Sequence, residues 1–137
     1  MANKVRFAFT EVDPSLGALS ALPYLPLTLT YQSQSLNVSG LLDTGSSVNV
    51  LPYEMGLALG AVWENQRLSL PLGGNLARFE ARALVVKATV EQFPTVDLAF
   101  AWTQDKYAPL ILGQMNFFLA FDVCFYRYDL AFEISQK

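Results

Sequence analysis

Leu25, Leu27, Leu29 and Tyr31 alternate with Pro26, Thr28 and Thr30, a period of two that suits a strand with one buried face and not a helix. The pattern recurs along the chain. Val5-Arg6-Phe7-Ala8-Phe9 alternates with aromatic residues on one face. After the polar turn Gln32-Ser33-Gln34-Ser35, residues 36–42 return as a strand that is wholly apolar at its end. Residues 48–51 form a short strand stopped by Pro52. Residues 67–72 and 77–83 read as strands joined by Gly73-Gly74-Asn75, a hairpin signal because those residues accept positive φ. Residues 83–90 and 95–102 follow, then the buried run Leu110-Ile111-Leu112 ahead of Gly113, and two closing strands at 123–128 and 130–134. The helical signal is confined to residues 53–59, stopped by Gly60, and to a turn at 115–120. Many short strands with one short helix predict an all-β barrel or sandwich.

The composition narrows the chemistry. A chain of 137 residues fits one domain, 1–137, and can bury a core without covalent staples. Residues 13–22 are the loosest stretch, and 1–22 are read as a candidate flexible N-terminal arm. Hydrophobic residues make up 53% and charged residues 15%, which leaves apolar surface available for a partner. The net charge is −3 with no run of Lys or Arg, so nucleic acid is not an expected partner. There is no histidine, so no Ser-His-Asp triad, Cys-His pair or His-based zinc site can be built. Catalysis, if any, rests on carboxylates, Lys, Tyr or backbone groups. No metal or cofactor is expected. The one cysteine, Cys124, lies in the run Phe121-Asp122-Val123-Cys124-Phe125-Tyr126 and reads as a buried, inert thiol. The first ten residues do not read as a signal peptide, and no run approaches the ~18 apolar residues of a membrane span. A soluble, cytoplasmic protein is expected.

One acidic residue is out of place. Asp43 closes the apolar run ending Leu41-Leu42 and precedes the buried strand 48–51. A turn accounts for an Asp and a Gly there. A catalytic carboxylate accounts for their trapping between two buried strands.

Leu41-Leu42-Asp43-Thr44-Gly45-Ser46-Ser47 resembles the active-site loop of aspartic proteases. Ile111-Leu112-Gly113-Gln114-Met115-Asn116-Phe117 is similar to the segment that braces that loop in the retropepsin-like branch. Gly73-Gly74-Asn75 lies between the two, where that family has its flap. The resemblance covers about residues 24–134. It implies a closed, barrel-like acid-protease fold with a single lobe per chain. The sequence carries one Asp-Thr-Gly, so the resemblance implies a two-fold homodimer with one Asp43 from each subunit. The implied activity is endopeptidase cleavage of a polypeptide substrate without cofactor or metal.

The resemblance also distributes roles. Asp43 is the catalytic carboxylate. Thr44 locks the two loops across the dimer axis, and Gly45 lets backbone approach the carboxylate. Ser46 donates a hydrogen bond to the carboxylate, which implies an acid-shifted activity profile. Gly113 packs beneath the loop, and Gly73, Gly74 and Asn75 form the flap. Two other functions remain open on the sequence. One is a non-catalytic binding or dimerisation module on the same fold. The other is an actin-like ATPase, whose Asp-x-Gly-Thr/Ser hairpin Asp43-Thr44-Gly45-Ser46 also fits, although the chain is short for a two-lobed nucleotide site.

Overall fold

The computed structural model describes residues 3–73 and 79–136. Its centre is a six-stranded closed barrel. Strand β4 (Tyr24–Tyr31) turns through Gln32 and Ser33 into β5 (Gln34–Leu42), and Gln32 adopts the positive φ of 53° that a two-residue hairpin loop demands. The barrel then runs β5, β10 (Ile111–Leu112), β6 (Asn49–Leu51), β9 (Val96–Thr103) and β8 (Ala81–Thr89). Pairing of β8 with β4 through Thr28, Leu29 and Thr30 closes the ring. Strand β7 (Ser69–Leu70) adds to the free edge of β8. The alternation read in β4 holds: Leu25, Leu27 and Leu29 are buried. Strand β8 runs unbroken through Ala83, where the sequence suggested two separate strands. The hairpin residues Gly74 and Asn75 lie outside the described residues, as does the start of the strand expected at 77–83.

The order of strands positions everything that follows. β10 pairs in parallel with β5 and antiparallel with β6. It is therefore wedged between the strands that enter and leave the Asp43 loop. The residues just after β10 must pass beneath that loop.

The core is aliphatic and aromatic, with Phe100, Trp102, Phe117, Phe121 and Phe132 wholly buried. Each such side chain contributes about 1.5–3 kcal/mol by leaving water. Helix α1 (Tyr53–Ala58) packs on this core and ends as the sequence suggested. Gly60 takes φ 85°, its N–H bonds to Leu57 O, and the Ala61 N–H bonds to Gly56 O. Both bonds use carbonyls the last turn would otherwise leave unpaired. Gly56 is needed for another reason. A Cβ there would fall 2.6 Å from the Trp102 ring carbon Cζ2 and closer to its neighbours. Trp102 is held by stacking on Tyr53 at 5.7 Å and by the edge of Trp63 at 5.1 Å, and cannot swing aside. Gly56→Ala is expected to cost about 1–3 kcal/mol in urea unfolding. A variant as stable as the wild type would mean that the ring is less fixed than its neighbours imply.

A second sheet lies beside the barrel. β12 (Ala131–Gln136) is flanked by β1 (Lys4–Ala8) and β11 (Phe121–Tyr126), following the short helix α2 (Phe117–Ala120). Within the candidate arm, β1 pairs along its length with β12, and β2 (Thr10–Glu11) pairs with β3 (Ala21–Leu22). Cys124 corrects the sequence reading, for it is exposed. The run is apolar, but β11 alternates, and Cys124 shares its outward face with Asp122.

On this sheet Arg6 bonds Glu133 at 3.0 Å and Asp129 at 3.3 Å, and Tyr126 donates its hydroxyl to Glu133 at 3.0 Å. Arg6 first, and then the Tyr126 hydroxyl, holds the Glu133 carboxyl below the usual carboxylate range. A lowered carboxylate pKa stabilises the fold above the unfolded-state value and ceases to do so as pH falls through the folded one. Glu133→Gln is therefore expected to lower the thermal midpoint at neutral pH, with the gap closing in acid. A gap independent of pH would refute the assignment. Among the described residues no helix is long and apolar enough to cross a membrane.

Candidate active site

Asp43 begins where β5 stops. Its N–H donates to Leu112 O at 3.0 Å, which fixes the chain to the end of β10. The carboxylate Oδ1 accepts the Gly45 N–H at 2.9 Å, and the Ser46 N–H closes a turn onto Asp43 O at 3.1 Å. This is a tight turn around a partly exposed acid. A Cβ on Gly45 would lie 3.2 Å from that same Oδ1, so the glycine keeps space at the carboxylate.

Ser46 does not do what the resemblance implied. Its hydroxyl donates to Val48 O at 2.7 Å. A serine hydroxyl has one proton to give, and here it tightens the exit of the loop. The donor to the carboxylate is the Gly45 backbone, so the acid shift expected from Ser46 loses its basis. Thr44 is exposed at the loop tip, and its carbonyl accepts Gln114 Nε2 at 2.6 Å.

Gly113 follows β10 and packs closely against the loop backbone. A Cβ there would lie 2.7 Å from Ser46 O, and nearer still to Val48 O. The next two residues grip the loop: Gln114 N–H to Ser46 O at 2.8 Å and Met115 N–H to Ser47 O at 2.9 Å.

Sequence reading missed two residues of this brace. Asn49 is wholly buried; its Oδ1 accepts the Gly113 N–H at 2.8 Å and its Nδ2 donates to Ala99 O at 3.1 Å. Asn116 Oδ1 accepts the Ala99 N–H at 2.8 Å. A signal for Asn49 existed. A polar side chain in a strand buried on both faces must find partners, and Asn49 stands alone among Val48, Val50 and Leu51.

Above the loop is a cleft of about 330 Å³. It is lined by Asp43, Gly45, Ser46 and Ser47 of the loop, by the apolar Val48, Val50 and Ile111, and by Pro71, Leu72 and Gly73. Gly73, of the expected flap, lines the same cleft as Asp43; Gly74 and Asn75 fall outside the described residues. A larger, more open hollow of about 550 Å³ lies on the barrel exterior around Thr28, Asn37, Ser39 and Thr89. Its one acidic residue, Glu91, is exposed, and among the described residues its carboxylate accepts no backbone N–H of the kind Gly45 gives Asp43. The chemistry is better served at Asp43.

No family model matches the chain, and no curated protein matches it. Among solved structures, the crystal structure of a retropepsin-like aspartic protease from Rickettsia conorii is similar, with a TM-score of 0.68 and 12% identity. The match covers 99% of this chain and 93% of that one. The chain has the retropepsin-like fold.

Proposed function

We propose that this protein is an aspartic-type endopeptidase that works as a two-fold homodimer. One observation carries the proposal. In a chain with the retropepsin-like fold, a single restrained carboxylate, Asp43, lines a cleft of about 330 Å³. One carboxylate is half of the required machinery, and a second copy supplies the other half. Two carboxylates held close together do not both ionise readily, so the pair shares a proton. The ionised member takes a proton from water, which attacks the scissile carbonyl carbon. The protonated member donates to the carbonyl oxygen. Collapse of the tetrahedral intermediate breaks the C–N bond as the amine nitrogen takes up a proton.

Thr44, exposed at the loop tip, is assigned the contact with its counterpart across the two-fold axis, a role its exposure permits. Gly73, Gly74 and Asn75 are assigned to a flap that covers bound peptide. The apolar wall of Val48, Val50 and Ile111 favours a substrate with uncharged side chains beside the scissile bond.

The test is cleavage of a mixed peptide library from about pH 3 to about pH 8, with Asp43→Asn alongside. Cleavage by the wild type that is lost in the variant is the expected result. No cleavage at any pH by a folded dimer would turn the assignment to a non-catalytic binding module on the same fold.

A further inference from the structure

Asn116 has φ 66° and ψ −61°, and the Phe117 N–H bonds to Met115 O at 2.9 Å across it. This is a γ-turn of the strained, positive-φ kind, which is rare in proteins. Strain of this sort persists only where the surroundings over-determine it. The surroundings here are the two backbone polar groups of one β9 residue, Ala99. Strand β6 begins at Asn49, paired with Phe100, and before it the chain leaves for the Asp43 loop. The ladder therefore runs out at Ala99. Two side-chain amides take the place of the missing strand: Asn116 Oδ1 accepts the Ala99 N–H, and Asn49 Nδ2 donates to the Ala99 carbonyl. Asn49 then uses its Oδ1 on the Gly113 N–H, a buried donor that no side chain of its own could serve. From Gly113 the chain passes to Gln114 and Met115, whose N–H groups hold Ser46 and Ser47.

We propose that Asn49 and Asn116 are positioning residues. They form an amide clamp on the backbone N–H and C=O of Ala99 that sets the turn at residues 113–116, and through it the Asp43 loop, against the rigid barrel. The kinetic part of this inference rests on the endopeptidase proposal; the structural part does not.

The variants separate positioning from bulk stability. Asn116→Gly keeps the positive φ without strain but removes the acceptor. Asn116→Asp keeps an acceptor oxygen. Amide hydrogen exchange in Asn116→Gly is expected to quicken about tenfold or more at Gln114 and Met115, with Leu84 and Leu98 in the barrel unchanged. The thermal midpoint should hold or rise. With a cleaved peptide, kcat should fall about tenfold or more at nearly constant KM, and Asn116→Asp should restore it. Asn49→Leu extends the test to the Gly113 amide, where unchanged protection would remove Asn49 from the clamp. Unchanged exchange at Gln114 and Met115, uniformly faster exchange throughout the barrel, or faster exchange with wild-type kcat would each overturn the inference. If the wild type cleaves nothing but the exchange pattern is as expected, the clamp stands and the endopeptidase assignment falls.

Discussion

Gly113→Ala is expected to destabilise the protein by about 3 kcal/mol or more, a large share of the 5–15 kcal/mol that holds a typical domain together. The added methyl would meet the carbonyls of Ser46 and Val48, both backbone. A side chain can change rotamer to make room; these carbonyls cannot easily do so. Ser46 O is held by the Gln114 N–H, and Val48 O by the Ser46 hydroxyl. Relief therefore means lifting the whole loop off β10, with loss of the Asp43 N–H bond to Leu112 O. Gly73→Ala is the control. Among the described residues nothing lies within 4 Å of a Cβ at that position, so stability should stay within about 0.5 kcal/mol of the wild type. Urea unfolding of the two variants decides the matter. A Gly113→Ala protein within about 1 kcal/mol of the wild type would show that the loop yields, and the bracing account would fail.

Much of this architecture is legible in the sequence because the signals are local. The alternation of Leu25, Leu27 and Leu29 needs only the period of a strand. Gly60 ends α1 because its own φ permits the closing turn. The Asp43 loop and Gly113 are legible as short motifs with apolar flanks. The failures are of another kind. Ser46 has several acceptors within reach, and only the folded loop shows that Val48 O wins. Cys124 sits in an apolar run whose faces are separated by the alternation of β11, not by composition. Asn49 finds its partners 50 and 64 residues away, so its neighbours in sequence do not reveal them. Asn116 adopts positive φ without being glycine, and no local pattern announces that. What escaped the sequence was the hydrogen bonding that joins distant segments behind the loop. The topology makes that bonding necessary, because β10 enters between β5 and β6 from far along the chain.

Asp43→Asn is expected to fold as the wild type does and to lose peptide cleavage by about 10²–10⁴-fold in kcat. The fold should survive because the asparagine Oδ1 can accept the Gly45 N–H that the carboxylate accepts now. The activity should not survive, since an amide can neither take a proton from water nor share one with the partner's carboxylate. The variant also tests the dimer. Added in equal amount to a fixed quantity of wild type, it should draw about half of the wild-type subunits into mixed dimers, and activity should fall to about half. A site complete within one chain would be indifferent to the addition. Cleavage that persists in the pure variant would remove Asp43 from the chemistry. Cleavage that vanishes in the variant but does not fall on mixing, once subunit exchange has been confirmed with labelled protein, would keep Asp43 and discard the shared site. Loss in the variant together with halving in the mixture is the result that a two-fold dyad requires, because only then does each bond cleaved depend on a carboxylate from both chains.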